Sequence, residues 1–336
     1  MATVQKILGY GGLAKQTAKA SPVASPAING FGVISGQIYS APITSSYEDI
    51  TLLGSASDRF SPGVNRTQVL PGANFSTRLT CKSFATWALA ALGTDVTSGA
   101  GPYVHTETPG LTLPYLTLMG KYGAVPESVQ LSDAKVDKLK VSVKGTDPAQ
   151  VDISLMGCTT VFDFGAWTAT NDETVVASMQ PMGGTFQIDP AATPAATTIP
   201  ITAFDLEVNN NLQPVWLSAA ITPNDIVEGE QMVSGTATVV VPDLNTQWQA
   251  ILTGTGAGST IRNSALYGSL SFSMTSGADI VTFAGLRVEF LCDFPSSDPK
   301  GGPAEVTLAW RAVRSLTPAT AAFSIVVTNG LTGAPA

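Results

Sequence analysis

Few residues in this chain could do chemistry. The one histidine, His105, stands in GPYVHTETPG, read as a loop, with no serine or cysteine motif beside it, and no GxSxG, HExxH or DxDxDG pattern occurs. Imidazole catalysis needs a partner within hydrogen-bond reach, so a structural hydrogen bond is the simpler role. Asp205 and Glu207 alternate with Phe204, Leu206 and Val208, as the polar face of a strand does. Glu228 and Glu230 share the turn-like run PNDIVEGEQ with Asp225. Either set would become a carboxylate pair or an oxygen-ligand metal site only in a geometry that spacing does not fix. A solvated strand face and a turn are the commoner outcome. No catalytic, cofactor-binding or metal-binding residue is assigned, and no enzymatic activity is expected.

Cys81, Cys158 and Cys292 are widely spaced, form no CxxC pair and have no histidine nearby, so buried free thiols are expected. The stretch Gly254–Ser259 lacks a following Gly-Lys-Ser/Thr and leaves a helix instead of entering one, which reads as a flexible connection and not a phosphate cradle. A formal net charge of −8 argues against sequence-independent nucleic-acid binding, which needs cations to replace phosphate counterions. Only 12 % of residues are charged and the mean hydropathy is +0.22. Either neighbouring subunits cover much of the surface, or a large β core carries Ser/Thr-rich loops. MATVQKILGYGG lacks the apolar core of a signal peptide, and no run is long enough to span a bilayer. Folding in a cytoplasm is expected.

The elements that position these residues come in two copies. Thr77–Thr94, TRLTCKSFATWALAALGT, reads as a strand running into a short helix, and Thr238–Thr255, TVVVPDLNTQWQAILTGT, repeats it. An offset of 161 places Trp87 on Trp248 and Gly93 on Gly254. Ser83 and Asp243 are the expected N-caps, and Gly93 and Gly254 the left-handed terminators. Phe84, Trp87, Ala88 and Ala91, and in the second copy Leu244, Trp248, Ile251 and Leu252, form one apolar face each. The two tryptophans are expected to fill equivalent holes between helix and sheet rather than to stack on a ligand.

Alternation predicts a hairpin in each half, VDKLKVSVKG with QVDISLM and GLRVEFLCDF with AEVTLAWRA, now at an offset of 155. Leu113–Met119, Leu270–Met274 and Phe323–Thr328 read as further strands, the last completing a sheet in its own chain or in a neighbour's. The expected fold is mostly β: two tandem β-sandwich or barrel domains, each with one short flanking helix. The expected divisions are an extended arm (1–35), a first domain (36–170), a linker (171–200), a second domain (201–315) and a tail (316–336).

The order of strand and helix, His105 in a loop, Leu113-Pro114-Tyr115-Leu116-Thr117 and the hairpin KVDKLKVSVKGTDPAQVDISLMG resembles the tail tube proteins of long-tailed bacteriophages, of siphovirus type. The resemblance is clearest over Phe75–Thr160 and is closest to members with two tube domains in one chain. It implies a non-enzymatic structural subunit, without cofactor, of a viral tail in the virion, assembled in the host cytoplasm. Rings, trimeric and pseudo-hexameric, would stack around a lumen through which DNA passes during ejection without specific binding. The implied partners are further copies of the chain, the tape-measure protein, and the tail terminator and baseplate proteins. A two-domain β binding module, such as a capsid decoration protein or a carbohydrate-binding adhesin, is the alternative.

Overall fold

The computed structural model describes residues 9–24, 29–47, 64–122, 128–162, 167, 171–172, 178–180, 184–189, 197–218, 220–240, 250–253, 260–261, 267–292, 305–314 and 321–330. In chain order the first half holds β1 (Gly9–Lys15), β2 (Asn29–Gly32), β3 (Ser35–Ser40), β4 (Ile43–Tyr47), β5 (Val64–Val69) and β6 (Gly72–Arg78). It continues with α1 (Cys81–Leu92), β7 (Gly93–Ser98), β8 (Tyr103–Pro109), β9 (Leu116–Tyr122), β10 (Ser128–Lys144), β11 (Gln150–Met156) and β12 (Thr159–Phe162). Next come β13 (Asn171–Asp172), β14 (Thr185–Asp189), β15 (Thr197–Ile199), β16 (Ile201–Asn209), β17 (Gln213–Val215) and β18 (Asp225–Val227). The last are β19 (Met232–Val240), β20 (Tyr267–Ser276), β21 (Asp279–Cys292), β22 (Glu305–Ala312) and β23 (Phe323–Asn329). Residues 250–253 are helical, but Asp243, Trp248 and the Gly254–Ser259 loop lie outside the described residues.

The mostly-β expectation holds, and period-2 burial is its cause. Val151, Ile153 and Leu155 of β11, Phe204, Leu206 and Val208 of β16, and Val306, Leu308 and Trp310 of β22 all point into the core, where each apolar side chain contributes about 1.5–3 kcal/mol by leaving water. Leu286 departs from its strand's pattern and is exposed. The β20–β21 register slips between Gly268 and Leu270, leaving two residues of β21 against one of β20, and such a bulge turns a side chain to the other face.

One antiparallel ladder crosses the whole molecule in the order β3, β6, β11, β10, β16, β19, β22, β21. The two halves of the chain meet within it at β10–β16, and residues from both form one continuous hydrophobic core. The stretch 1–35, expected as an extended arm, supplies β1 and β2, with β1 pairing to β9. Gly11 hides that strand from a propensity reading, because a Cβ there would come within 2.4 Å of the Phe31 ring. The stretch 171–200, expected as a linker, supplies β14, which pairs with β20, and β15 beside it. The C-terminal β23 pairs with β21 and β8 of its own chain.

Cross-strand partners correct the repeat. Phe75 faces Ile153, Ala237 faces Leu308, and the hairpin offset of 155 equates Ile153 with Leu308. Phe75 therefore corresponds to Ala237, an offset of 162 and not 161 (237 − 75).

Helix α1 also departs from expectation. Its N-cap is Thr80, with Ser83 inside the first turn and their hydroxyls 2.8 Å apart. Gly93 ends it in the left-handed conformation at φ 103°, as its missing Cβ allows. Every residue but Lys82 is buried, so α1 is an embedded helix and not one with a single apolar face. It lies between the halves. Asn329 Nδ2 donates to Cys81 O at 3.0 Å, while Asn210 Nδ2 and Gln231 Nε2 both donate to Ala91 O at 3.0 Å. Side chains from the second half thus satisfy a carbonyl that the last turn leaves unpaired.

Candidate functional site

The ladder that buries one face presents the other as a broad polar surface. Register places Ser76, Asp152, Lys140, Glu207, Ser234, Arg311 and Glu289 in a single row across seven strands. The charges alternate along it, and adjacent strands bring such cross-strand pairs to about 4.5–5.5 Å between Cβ atoms. Within and beside the row, Arg311 Nε donates to Glu289 Oε2 at 2.9 Å, Ser76 Oγ to Asp152 Oδ1 at 2.5 Å, and Ser142 Oγ to Asp205 Oδ1 at 2.6 Å. Of Asp205 and Glu207, singled out as a possible carboxylate pair, Asp205 therefore accepts from the Ser142 hydroxyl and Glu207 stands opposite Lys140 on this face.

Asp225 and Glu228 are held elsewhere. Lys135, buried at a register shift in β10, places Nζ 2.8 Å from Glu228 Oε1 and 2.8 Å from Ile226 O, and 4.4 Å from the centre of the Tyr115 ring. Leu113 N–H also donates to Glu228 at 3.0 Å. Burial raises the Glu228 pKa, but the Lys135 ammonium and the Leu113 N–H outweigh it and hold the carboxyl below its ordinary range. Lys19 sits 3.0 Å from Asp225, whose Oδ1 also accepts from Tyr115 Oη at 2.9 Å. Burial again raises, yet Lys19, the Ile226 N–H and the Tyr115 hydroxyl together lower, the Asp225 pKa. These contacts clamp the β17–β18 pair onto β10. Glu230 accepts from Asn211 Nδ2 through its backbone carbonyl.

His105 lies in β8 and not in a loop. It is 1 % exposed, faces Thr97 of β7, and its Nδ1 is 3.1 Å from Thr97 Oγ1. Two residues along the same strand, Glu107 is wholly buried opposite Asp95, and among the described residues no other side chain hydrogen-bonds its carboxyl oxygens. Burial, reinforced by the Asp95 charge, pushes the Glu107 carboxyl up to about 9. Perturbed acids mark functional sites when they open on a cleft, whereas Glu107 is fully buried between β7 and β23. Among the described residues, no cluster of three or more His, Cys, Asp or Glu is placed to hold a metal. Cys81 and Cys158 are buried, and neither forms a disulfide among the described residues. Trp87 meets Phe31 and Phe75 edge-on with ring centres 5.2 and 5.8 Å away, so it is a core residue.

The spacing of acids alone could not reveal Lys135 and Tyr115 as their partners, because they come from the other half of the chain. Asp133, non-glycine at φ 53°, marks where β10 loses its alternation. Among the described residues the arrangement offers a long ladder, a row of alternating charge and clamped hairpins.

Compared with known protein families, the chain matches the one described as phage tail tube protein over residues 12–325, nearly its whole length. The chain belongs to this family. The match opens inside β1 and closes inside β23, so both halves of the tube protein lie within one family unit. It is a structural subunit of a phage tail tube and a component of the virion tail. No curated protein matches it.

Proposed function

We propose that this tube protein assembles with further copies of itself into rings, three chains giving six quasi-equivalent units, and that the rings stack into the tube of a siphovirus-type tail. The β10–β16 join carries this reading, because it fuses two repeats edge to edge, and among the described residues β3 pairs with β6 alone, leaving an edge to a further copy. Closure of such a ring removes exposed sheet edges, and heterologous contacts along its axis extend it into a filament. The two halves are read as products of duplication acting as paired tube units. Tape-measure, terminator and baseplate proteins complete the tail, whose assembly takes place in the host cytoplasm. The subunit carries out no catalysis.

The polar row is the surface proposed to face the lumen. Lys138, Lys140 and Lys144 share one side of β10, but Asp152 and Glu207 flank Lys140 on the neighbouring strands. Alternation leaves no basic strip along which phosphates would exchange counterions and adhere, so DNA slides past.

Negative-stain microscopy and native mass measurement of purified protein test the assembly. Hollow rings or rods built from three-chain discs are expected; dispersed particles, or discs of six chains, would reject it.

A further inference from the structure

The last turn of α1 is sealed by the other half of the chain, whereas the equivalent turn of the second helix stays half-buried. Asn210 Nδ2 donates to Ala91 O at 3.0 Å and to Val136 O at 2.8 Å. Gln231 Nε2 donates to the same Ala91 O at 3.0 Å and to Asn210 Oδ1 at 2.7 Å. Beneath this pair of amides Ala90 is 1 % and Ala91 0 % exposed. Matching Trp87 with Trp248 gives the helices an offset of 161 (248 − 87), one less than the strands before them. Ala90 and Ala91 then fall on Ile251 and Leu252, both half-buried.

The strand registers state which residues stand where Asn210 and Gln231 do. Ser40 faces Gly72 as Glu207 faces Ser234, with offsets of 167 (207 − 40) and 162 (234 − 72). The hairpins that follow keep both offsets. Ser46 faces Asn65 and Tyr47 faces Val64, while Gln213 faces Val227 and Pro214 faces Ile226 (213 − 46 = 167, 227 − 65 = 162). Asn210 therefore corresponds to Ile43 and Gln231 to Val69, which face each other at the base of β4–β5. In its own chain Ile43 is 54 % exposed, and β4–β5 pairs with no other strand of the described residues. The second half caps the helix of the first; the same step taken once more leads from the second helix to the first half of another chain.

We infer that a second copy of this chain seats Ile43 and Val69 of its β4–β5 hairpin on Ile251 and Leu252, repeating between chains the contact that Asn210 and Gln231 make on α1 within one. This rests on the ring reading above and names a contact by which successive chains hold each other. Both sides of the contact change character together. Within the chain, two amides bond a carbonyl above a pair of alanines; between chains, Ile and Val meet Ile and Leu. Apolar burial drives association without fixed direction, which suits a contact formed after folding. Phe290 corresponds to Val136, since they face the equivalent residues Trp310 and Leu155, and it adds an aromatic ring beside the seat.

Two experiments test it. Hydrogen exchange on the unaltered protein should slow at least tenfold at Ile251 and Leu252 on passing from monomer to ring, with Ala90 and Ala91 unchanged. Separately, Ile43→Glu places a carboxylate on the seat. Because Ile43 is exposed in the single chain, this variant should melt as the wild-type monomer does, yet need at least tenfold more protein to form rings. Ile43→Leu should assemble as the wild type. Rings in which Ile251 and Leu252 exchange as in the monomer, or Ile43→Glu chains that close rings at the wild-type concentration, would overturn the seat and leave the ring reading intact. Wild-type protein that forms no rings would overturn both.

Discussion

Lys140 of β10 stands directly opposite Glu207 of β16, at the seam where the two halves of the tube protein become one sheet. Asp152 faces the same lysine from β11. An ammonium between two carboxylates keeps the seam electrically even, though solvent-accessible pairs contribute little, about 0.2–1 kcal/mol each. Lys140→Ala is expected to lower stability by less than about 1 kcal/mol. Lys140→Glu, which lines up three carboxylates, should cost more and recover with added salt. Thermal melts at low and high ionic strength distinguish the two.

The buried Glu107 makes stability fall with rising pH. Its folded pKa of about 9 lies above the ordinary value of 4.5, so between these values the folded chain holds a proton that the unfolded chain has released. The contribution is complete below the ordinary value and is lost as pH climbs through about 9. Glu107→Gln should flatten that dependence and raise the melting temperature at mildly alkaline pH. An unchanged pH profile in the variant would rule out Glu107 as its source.

The Lys135–Glu228 pair acts in the opposite direction. Lowering of the Glu228 pKa in the fold gives a contribution that is present above the ordinary carboxylate range and lost as pH falls through the depressed value. Removing one partner of a buried pair leaves the other uncompensated, at about 3–5 kcal/mol. Glu228 retains some access to water, at 21 % side-chain exposure, so Lys135→Met should fall at the lower end of that range. Acid melts should show the wild type losing its advantage over the variant as pH drops.

Gly235 is required by its neighbours. A Cβ there would lie 2.2 Å from Asp205 O and 2.6 Å from the Trp310 ring, and neither backbone nor a core indole can withdraw. Gly235→Ala is expected to destabilise by about 1–3 kcal/mol through overpacking, whereas Ser234→Ala next to it should be nearly neutral. Denaturant unfolding of the two variants reads the difference.

Strand alternation was legible wherever a strand has one wet and one dry face. Phe204, Leu206 and Val208 against Asp205 and Glu207 show it, and both long hairpins were placed from such patterns. β1 was not legible, because its Gly11 serves the close approach of Phe31 instead of strand propensity. The helix was found, but its burial on all sides depends on Asn210, Gln231 and Asn329, which approach from the other half of the chain. His105 was misplaced because a polar residue in a short Thr-rich run resembles a turn until its cross-strand partner Thr97 is known. The single ladder was beyond reach for the same reason, since the β10–β16 pairing joins elements that no local pattern connects.

The placement of α1 sets an order of events during synthesis. Its first turn is closed by Asn329, 248 residues further on, and by the Thr328 carbonyl that accepts from the Cys81 thiol. A chain emerging from the ribosome therefore makes its most apolar helix early and covers it last, as contacts of such separation form slowly. Until β23 arrives, no nascent chain has a finished core to offer a neighbour, which makes the synthesis of β23 the step that precedes assembly.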